Sequence, residues 1–189
     1  MALTYSPALA LGTPCPDFKL PALDGKTFGL KDIPPSTPFV VMFICNHCPY
    51  VQAIEDRLII LGQDLKQENI PLIAICSNSE KDYPADSFEN LKKNYLAKQM
   101  PFPYLHDASQ TVARAFGAVC TPDFFIYDKS HCLAYRGRLD DSWKDPKKVT
   151  KRELFNAAIA LKNHSGPGNP LDILAEQIPS MGCSIKWIK

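Results

Sequence analysis

The chain has 189 residues, 46% of them hydrophobic and 22% charged, with a formal net charge of +1, so it can pack one globular domain over residues 1–189 and is neither disordered nor fibrous. The balanced charge, with no basic stripe interleaved with aromatics, excludes nucleic acid and an acidic membrane surface as expected partners. No apolar stretch approaches the roughly 20 residues of a membrane span, no charged segment precedes an apolar core at the N-terminus, and seven cysteines are an odd number for a secreted disulfide framework. A cytoplasmic protein with mostly reduced thiols is expected.

Residues 1–37 are proline-rich, and Phe18-Lys19-Leu20, Asp24-Gly25 and Thr27-Phe28-Gly29-Leu30 spell an N-terminal hairpin closed by a D-G turn. Residues 39–44, Phe-Val-Val-Met-Phe-Ile, are a continuous β-favouring apolar run, the pattern of a central strand covered on both faces. After Cys45-Asn46-His47-Cys48, the apolar residues Val51, Ile54, Leu58, Leu61 and Leu65 share one helix face, and the spacing predicts a single helix packed on the preceding strand. Residues 70–76 form a second buried strand, so strand, helix and strand make a right-handed βαβ crossover with a parallel pair. A polar stretch, 77–86, leads to a helix around 87–98 and a short strand at Phe102-Pro103-Tyr104-Leu105, weakened by its proline.

Asp107 is placed to cap a helix carrying Val112 and Phe116, and Gly117 to terminate it. Residues 124–127 and 132–137 are expected to pair antiparallel across Asp128-Lys129-Ser130-His131 at the end of a mixed sheet. Thr150-Lys151-Arg152-Glu153 has the form of a capping box that opens a helix with Leu154, Ala158 and Leu161 on one face. A turn-rich break at 165–170 and a short helix near 171–177 begin a C-terminal tail, 165–189.

Cys45-Asn46-His47-Cys48 carries the chemistry. A disulfide needs Cα atoms within about 7 Å, and a C-x-x-C at a helix start meets that while its N–H groups favour a thiolate at Cys45. A C-x-x-C alone is also half a zinc site, which needs a second Cys/His pair, and His131-Cys132 is the nearest candidate. No metal is expected, and Asp140-Asp141 reads as a solvated loop.

The order strand, C-x-x-C, helix, strand, then Thr121-Pro122 before an antiparallel pair resembles the thioredoxin fold. Gly12-Thr13-Pro14-Cys15-Pro16-Asp17-Phe18-Lys19-Leu20 and the helix-strand insertion between Cys76 and Asp107 are similar to the peroxiredoxin-like branch of alkyl hydroperoxide reductases and thiol-specific antioxidants. Phe43-Ile44-Cys45-Asn46-His47-Cys48-Pro49-Tyr50, Cys120-Thr121-Pro122-Asp123-Phe124-Phe125 and Gly182-Cys183-Ser184-Ile185-Lys186-Trp187 resemble bacterial peroxiredoxin-like thioredoxin-family proteins. The resemblance spans residues 11–187 and implies a three-layer α/β/α sandwich that works without a bound cofactor.

By this resemblance Cys45 is an exposed nucleophile, Cys48 the buried resolving thiol, and His47 a stabiliser of the Cys45 thiolate. Pro122 is expected to be cis, leaving the Thr121 backbone exposed to pair with an extended substrate. Cys120, near the rim, forms an alternate disulfide or is a small buried hydrophobe; Cys183, in a mobile tail, is a candidate resolving thiol. Cys76 is expected to be packing, and Cys15 and Cys132 incidental. His106, His131 and His164 are expected to be solvated, and Trp143 and Trp187 to anchor core or rim.

Two departures matter. Peroxiredoxins resemble one another in a Pro-x-x-x-Thr-x-x-Cys loop; with Cys48 as its cysteine, Val41 and Cys45 stand where proline and threonine belong. Thioredoxins resemble one another in a buried acid before the active site, yet residues 38–44 hold no carboxylate, so proton transfer falls to water, His47 or a distant group. The expected function is a thiol-disulfide oxidoreductase acting on protein disulfides or small thiols and served by a thioredoxin or glutathione system. The alternatives are an antioxidant thiol peroxidase acting on peroxide and a non-catalytic redox-sensing module.

Overall fold

The computed structural model describes residues 3–164 and 177–188, so the helix expected near 171–177 falls, except for Gln177, outside the described residues. In chain order the elements are β1 (Leu3–Tyr5), β2 (Lys19–Pro21), β3 (Thr27–Gly29), β4 (Phe39–Phe43), α1 (Pro49–Gln52), α2 (Glu55–Gln67), β5 (Leu72–Cys76), α3 (Phe88–Ala97), β6 (Tyr104–His106), α4 (Thr111–Phe116), β7 (Cys120–Thr121), β8 (Asp123–Tyr127), β9 (Leu133–Gly137), α5 (Glu153–Asn163) and β10 (Met181–Ser184).

The central sheet has the order β6-β5-β4-β8-β9. β4 pairs parallel with β5 and antiparallel with β8, giving the expected mixed sheet with an antiparallel pair at one end. Successive residues of a strand point to opposite faces, and β4 supplies both layers. Val40 and Met42 join Leu58, Leu61 and Leu65 of α2, Leu91 of α3 and Leu154 and Ala158 of α5. Phe39, Val41 and Phe43 join Phe18, Leu20 and the Val112, Ala113 and Phe116 face of α4. That places helices on both sides of one sheet, a three-layer arrangement. β2 and β3 form the expected hairpin.

The structure corrects several local expectations. The helix after Cys48 is split, because Ile54 (φ −116°, ψ 0°) leaves helical geometry between α1 and α2. Val51 and Ile54 stay buried across the break, so the apolar spacing is the same for one helix or two. The Thr150–Glu153 capping box does not form; α5 begins after Arg152, without a side-chain cap. Thr150 instead donates its N–H to Asp141 Oδ1 at 2.8 Å and its hydroxyl to Asp141 Oδ2. Nor is Asp140 solvated, since Arg57 Nη1 donates to its carboxylate at 2.5 Å. His106 is buried, with burial the first cause of a pKa below the usual histidine value. His131 packs its ring edge-on against Phe39. Trp143 is half-exposed and covers Tyr50 at 4.8 Å.

A second sheet, β1-β10-β7, was not foreseen. Its register sets Cys183 opposite Thr121 and Leu3 opposite Cys183, so the C-terminal strand lies between the N-terminus and the Thr121-Pro122 loop. Gly182 permits this approach, because a Cβ there would overlap the Thr121 carbonyl. Backbone on both sides leaves little room to relax. Gly182→Ala is therefore expected to lower stability by about 1–3 kcal/mol, the usual range for overpacking; chemical denaturation measures it, and an unchanged midpoint would contradict so close a packing.

Candidate active site

β4 ends at Phe43 and delivers Cys45-Asn46-His47-Cys48 to the edge of the sheet, where Pro49 opens α1. Proline suits the first helical position because its fixed φ matches the helix and its missing N–H is not needed there. Cys48 is thus the N-cap of α1 (φ −76°, ψ 119°). The N–H of Val51 turns to the sulfur of Cys48. The helix starts three residues later than the motif suggested, so its donors serve the second cysteine.

Cys45 and Cys48 share one buried cluster, and each thiol bears on the protonation of the other. The Cys45 thiol is the largest influence on Cys48; with the Thr121 hydroxyl and the N–H groups of Cys183 and Val51 it overcomes burial and holds Cys48 far below the ordinary thiol range. One contact opposes this: Cys48 Sγ stands 3.0 Å from the Thr121 carbonyl oxygen, where only a thiol can donate. Four donors against one acceptor set the direction. Cys45 is pushed well above its usual value, first because it donates to Cys48, then by burial and the charge of Asp86. In the closed dithiol these donors favour the charge on Cys48, the opposite of the low pKa expected at Cys45. The expected exposure of Cys45 is also corrected, since Cys45 is 1% and Cys48 0% accessible.

Cys45 has two further neighbours, His47 Nδ1 at 3.7 Å and the Thr121 hydroxyl at 3.4 Å. His47 Nδ1 is hydrogen-bonded to Asp86 Oδ2, and the imidazole stacks on Tyr83 with ring centroids 4.3 Å apart. Asp86 Oδ1 accepts the N–H groups of Asn46 at 2.8 Å and His47 at 3.1 Å, and Oδ2 accepts Asn78 Nδ2 at 2.8 Å. Burial pushes this fully enclosed carboxylate up, but His47, Asn78 and the backbone donors together hold it below the ordinary range. Donor atoms of Cys45, His47 and Asp86 all lie within 4.8 Å of one another. Asp86 Oδ2 and Cys45 Sγ both approach the same ring nitrogen, Nδ1, so its single proton serves the carboxylate or the sulfur.

Asp86 was missed from the sequence. It sits in a 3-10 turn, Pro84–Asp86, just before the Ser87 that caps α3, and an acid at a helix start carries no mark of an active site. It supplies the carboxylate absent from residues 38–44. The same segment pins the motif: Asn46 Nδ2 donates to the carbonyls of Ala85 and Asn90 at 3.0 and 3.1 Å, and its side-chain oxygen accepts from Asn94.

The Thr121–Pro122 bond is cis, as expected, but the Thr121 backbone is not exposed. Its partner is Cys183 in β10, and Thr121 is 2% accessible. Cys183 itself is 1% accessible in a paired strand, which corrects the mobile tail. Pro122 lines a groove of about 230 Å³ with Tyr5, Tyr50, Trp143 and Met181. Cys120 is fully buried beside the Ser6 hydroxyl at 3.6 Å, and burial, then Asp123, push its thiol up to about 12. Asp123 is held between Ser6 at 2.6 Å and Arg136 at 2.8 Å, which ties the N-terminus to β8 and β9 behind the cis bond.

The sequence profile of the AhpC/TSA family matches residues 11–136. The chain belongs to that family. Among solved structures, this AhpC/TSA protein is similar to an uncharacterized conserved protein from Geobacillus kaustophilus, at 39% identity and TM-score 0.90 over 100% of this chain and 97% of the other. A hypothetical protein from Sinorhizobium meliloti is 38% identical, with TM-score 0.88 over 98% of each chain. The thioredoxin domain of a thiol-disulfide oxidoreductase from Bacteroides vulgatus shares 15% identity and TM-score 0.63 over 82% of this chain and all of that one, a likeness of fold alone. No curated protein matches. The AhpC/TSA chain is thus a peroxiredoxin-like protein of thioredoxin fold. Among its described residues, no helix is long and apolar enough to cross a membrane.

Proposed function

We propose that the protein is a thiol-disulfide oxidoreductase whose redox pair is Cys45 and Cys48. The observation that carries this reading is the pair itself: two thiols of a C-x-x-C in one buried cluster, with donors available to a charge on either. With the charge on Cys45, the Thr121 hydroxyl and His47 support it, while the Cys48 thiol donates to the Thr121 carbonyl at 3.0 Å. Cys45 then attacks a substrate disulfide and expels one substrate thiolate. Cys48 attacks the mixed disulfide, the second substrate thiolate leaves, and the Cys45–Cys48 disulfide forms. His47, held in place by Asp86, offers its Nδ1 beside Cys45 for proton transfer to the departing thiolates. Protein disulfides and small-molecule disulfides are the substrate class, and a thioredoxin or glutathione system of the cytoplasm restores the dithiol.

Glutathione disulfide mixed with the reduced protein should yield two glutathione thiols per Cys45–Cys48 disulfide formed, counted by thiol titration and mass spectrometry. No thiol release would sink the reading. Membership of the AhpC/TSA family and the charge on Cys48 favour a second reading, thiol peroxidase. Fast consumption of hydrogen peroxide, with a sulfenic acid trapped at one cysteine of the pair, would transfer the assignment to it.

The lowered pKa of Cys48 has a spectroscopic consequence. The reduced protein should keep the ultraviolet absorbance of one thiolate from pH 7 well into the acid range, and Cys48→Ser should lose it. An ordinary profile, with the absorbance rising only near pH 8.5, would remove Cys48 as the site of charge.

A further inference from the structure

Cys48 has a second sulfur neighbour. β10 runs antiparallel to β7 with Cys183 opposite Thr121, the register a cysteine in an extended substrate would take beside the Thr121-Pro122 loop. The Cys183 N–H is directed at Cys48 Sγ, and after burial Cys48 is the largest influence on the Cys183 thiol. Cys45, Cys48 and Cys183 are buried in one cluster, where β10 packs on α1. Gly182 lets the strand come this close.

We propose that Cys183 is a third redox-active thiol and that Cys48 is a pivot, able to hold a disulfide with either Cys45 or Cys183. The proposal rests on the assignment of Cys45 and Cys48 as the redox pair. Once a substrate disulfide has oxidised that pair, Cys183 Sγ attacks Cys48 Sγ. The Cys48–Cys183 bond forms, the Cys45–Cys48 bond breaks, its electron pair leaves on Cys45, and the proton lost by Cys183 ends there. The number of disulfides is unchanged, so the step needs no further oxidant. Burial and then the neighbouring Cys48 hold Cys183 up at about 11 in the dithiol. The charge of Cys48 vanishes when it enters a disulfide, while Lys186, which lowers the Cys183 pKa, remains. The product frees Cys45 beside His47 for another exchange and fastens β10 to the start of α1.

Full-length protein is oxidised with glutathione disulfide, quenched in acid, alkylated with N-ethylmaleimide under denaturing conditions and digested without reduction for mass spectrometry. Wild type should yield both Cys45–Cys48 and Cys48–Cys183 peptides. Cys45→Ser should shift Cys48 into the Cys48–Cys183 pair, Cys45→Ala should repeat the result, and Cys183→Ser should lose that peptide alone. Cys183 fully alkylated in wild type and both Cys45 variants, with Cys45–Cys48 present in wild type, would overturn the pivot and leave the redox pair standing. Glutathione held on Cys48 of the Cys45 variants with Cys183 alkylated would overturn it equally. Absence of any Cys45–Cys48 peptide from wild type would overturn both readings. Because wild type is itself a readout, a poorly folded variant does not decide the outcome.

Discussion

Replacing Cys48 with serine is expected to cut turnover of a disulfide substrate by on the order of 10³-fold or more, as loss of an essential nucleophile does, and to leave substrate attached to Cys45. The reason lies in the second half of the exchange: a mixed disulfide on Cys45 is resolved by the Cys48 sulfur, and a serine hydroxyl does not attack sulfur at neutral pH. Cys45→Ser should lose turnover to the same extent but capture nothing at position 45. The two variants therefore separate by mass: a protein-plus-substrate adduct for Cys48→Ser, cleaved by a reductant, and none at that site for Cys45→Ser. Wild-type turnover in either variant would end the assignment of the pair. The serine variants also remove sulfurs from a buried cluster, so their thermal unfolding belongs beside the kinetics.

Removal of the Asp86 carboxylate should be the most damaging change outside the cysteines. Asp86→Ala leaves His47, Asn78 and the N–H groups of Asn46 and His47 without their buried acceptor, and breaking a buried charged pair costs about 3–5 kcal/mol. Asp86→Asn keeps the shape and one acceptor oxygen, so it should retain more stability while losing rate. Its signature is in pH. The folded pKa of Asp86 lies below the unfolded carboxylate value, so its stabilisation is fully present above about pH 4 and is lost as pH falls through the folded value. The stability gap between wild type and Asp86→Asn, from urea titrations, should be constant near neutrality and close in acid. A gap independent of pH would mean that the carboxylate charge contributes nothing.

Much of the fold was legible because it depends on patterns a single segment carries. Phe39-Val40-Val41-Met42-Phe43 has no polar residue to face water, so its place in the middle of the sheet followed from composition, and Leu72 to Cys76 repeated the signal. The cis-proline needed context as well, since Thr121-Pro122 is informative only after a C-x-x-C strand-helix unit. Features set by distant partners were not legible. Asp86 acts on His47 across 39 positions, and nothing local distinguishes it from an acid at a helix start. Leu3 to Tyr5 and Met181 to Ser184 are too short for periodicity to mark, and they become strands because they pair with each other. The Thr150–Glu153 motif failed for the converse reason: Asp141, nine residues earlier, took the threonine hydroxyl and N–H. The direction of charge in the cysteine pair depended on contacts that no local pattern marks, the Cys45 thiol first, then the Thr121 hydroxyl and the N–H groups of Cys183 and Val51.

The strand on the Thr121 edge also has a concentration. β10 belongs to the same chain, and a tethered segment competes at an effective concentration on the order of 1 mM. An outside polypeptide at about 10 µM with equal intrinsic affinity is then outcompeted about 100-fold at that edge. Partners that seize Cys45 before displacing β10, or that are small enough to pass beside it, escape this handicap. Competition within the molecule thus acts as a filter on who may exchange electrons with it.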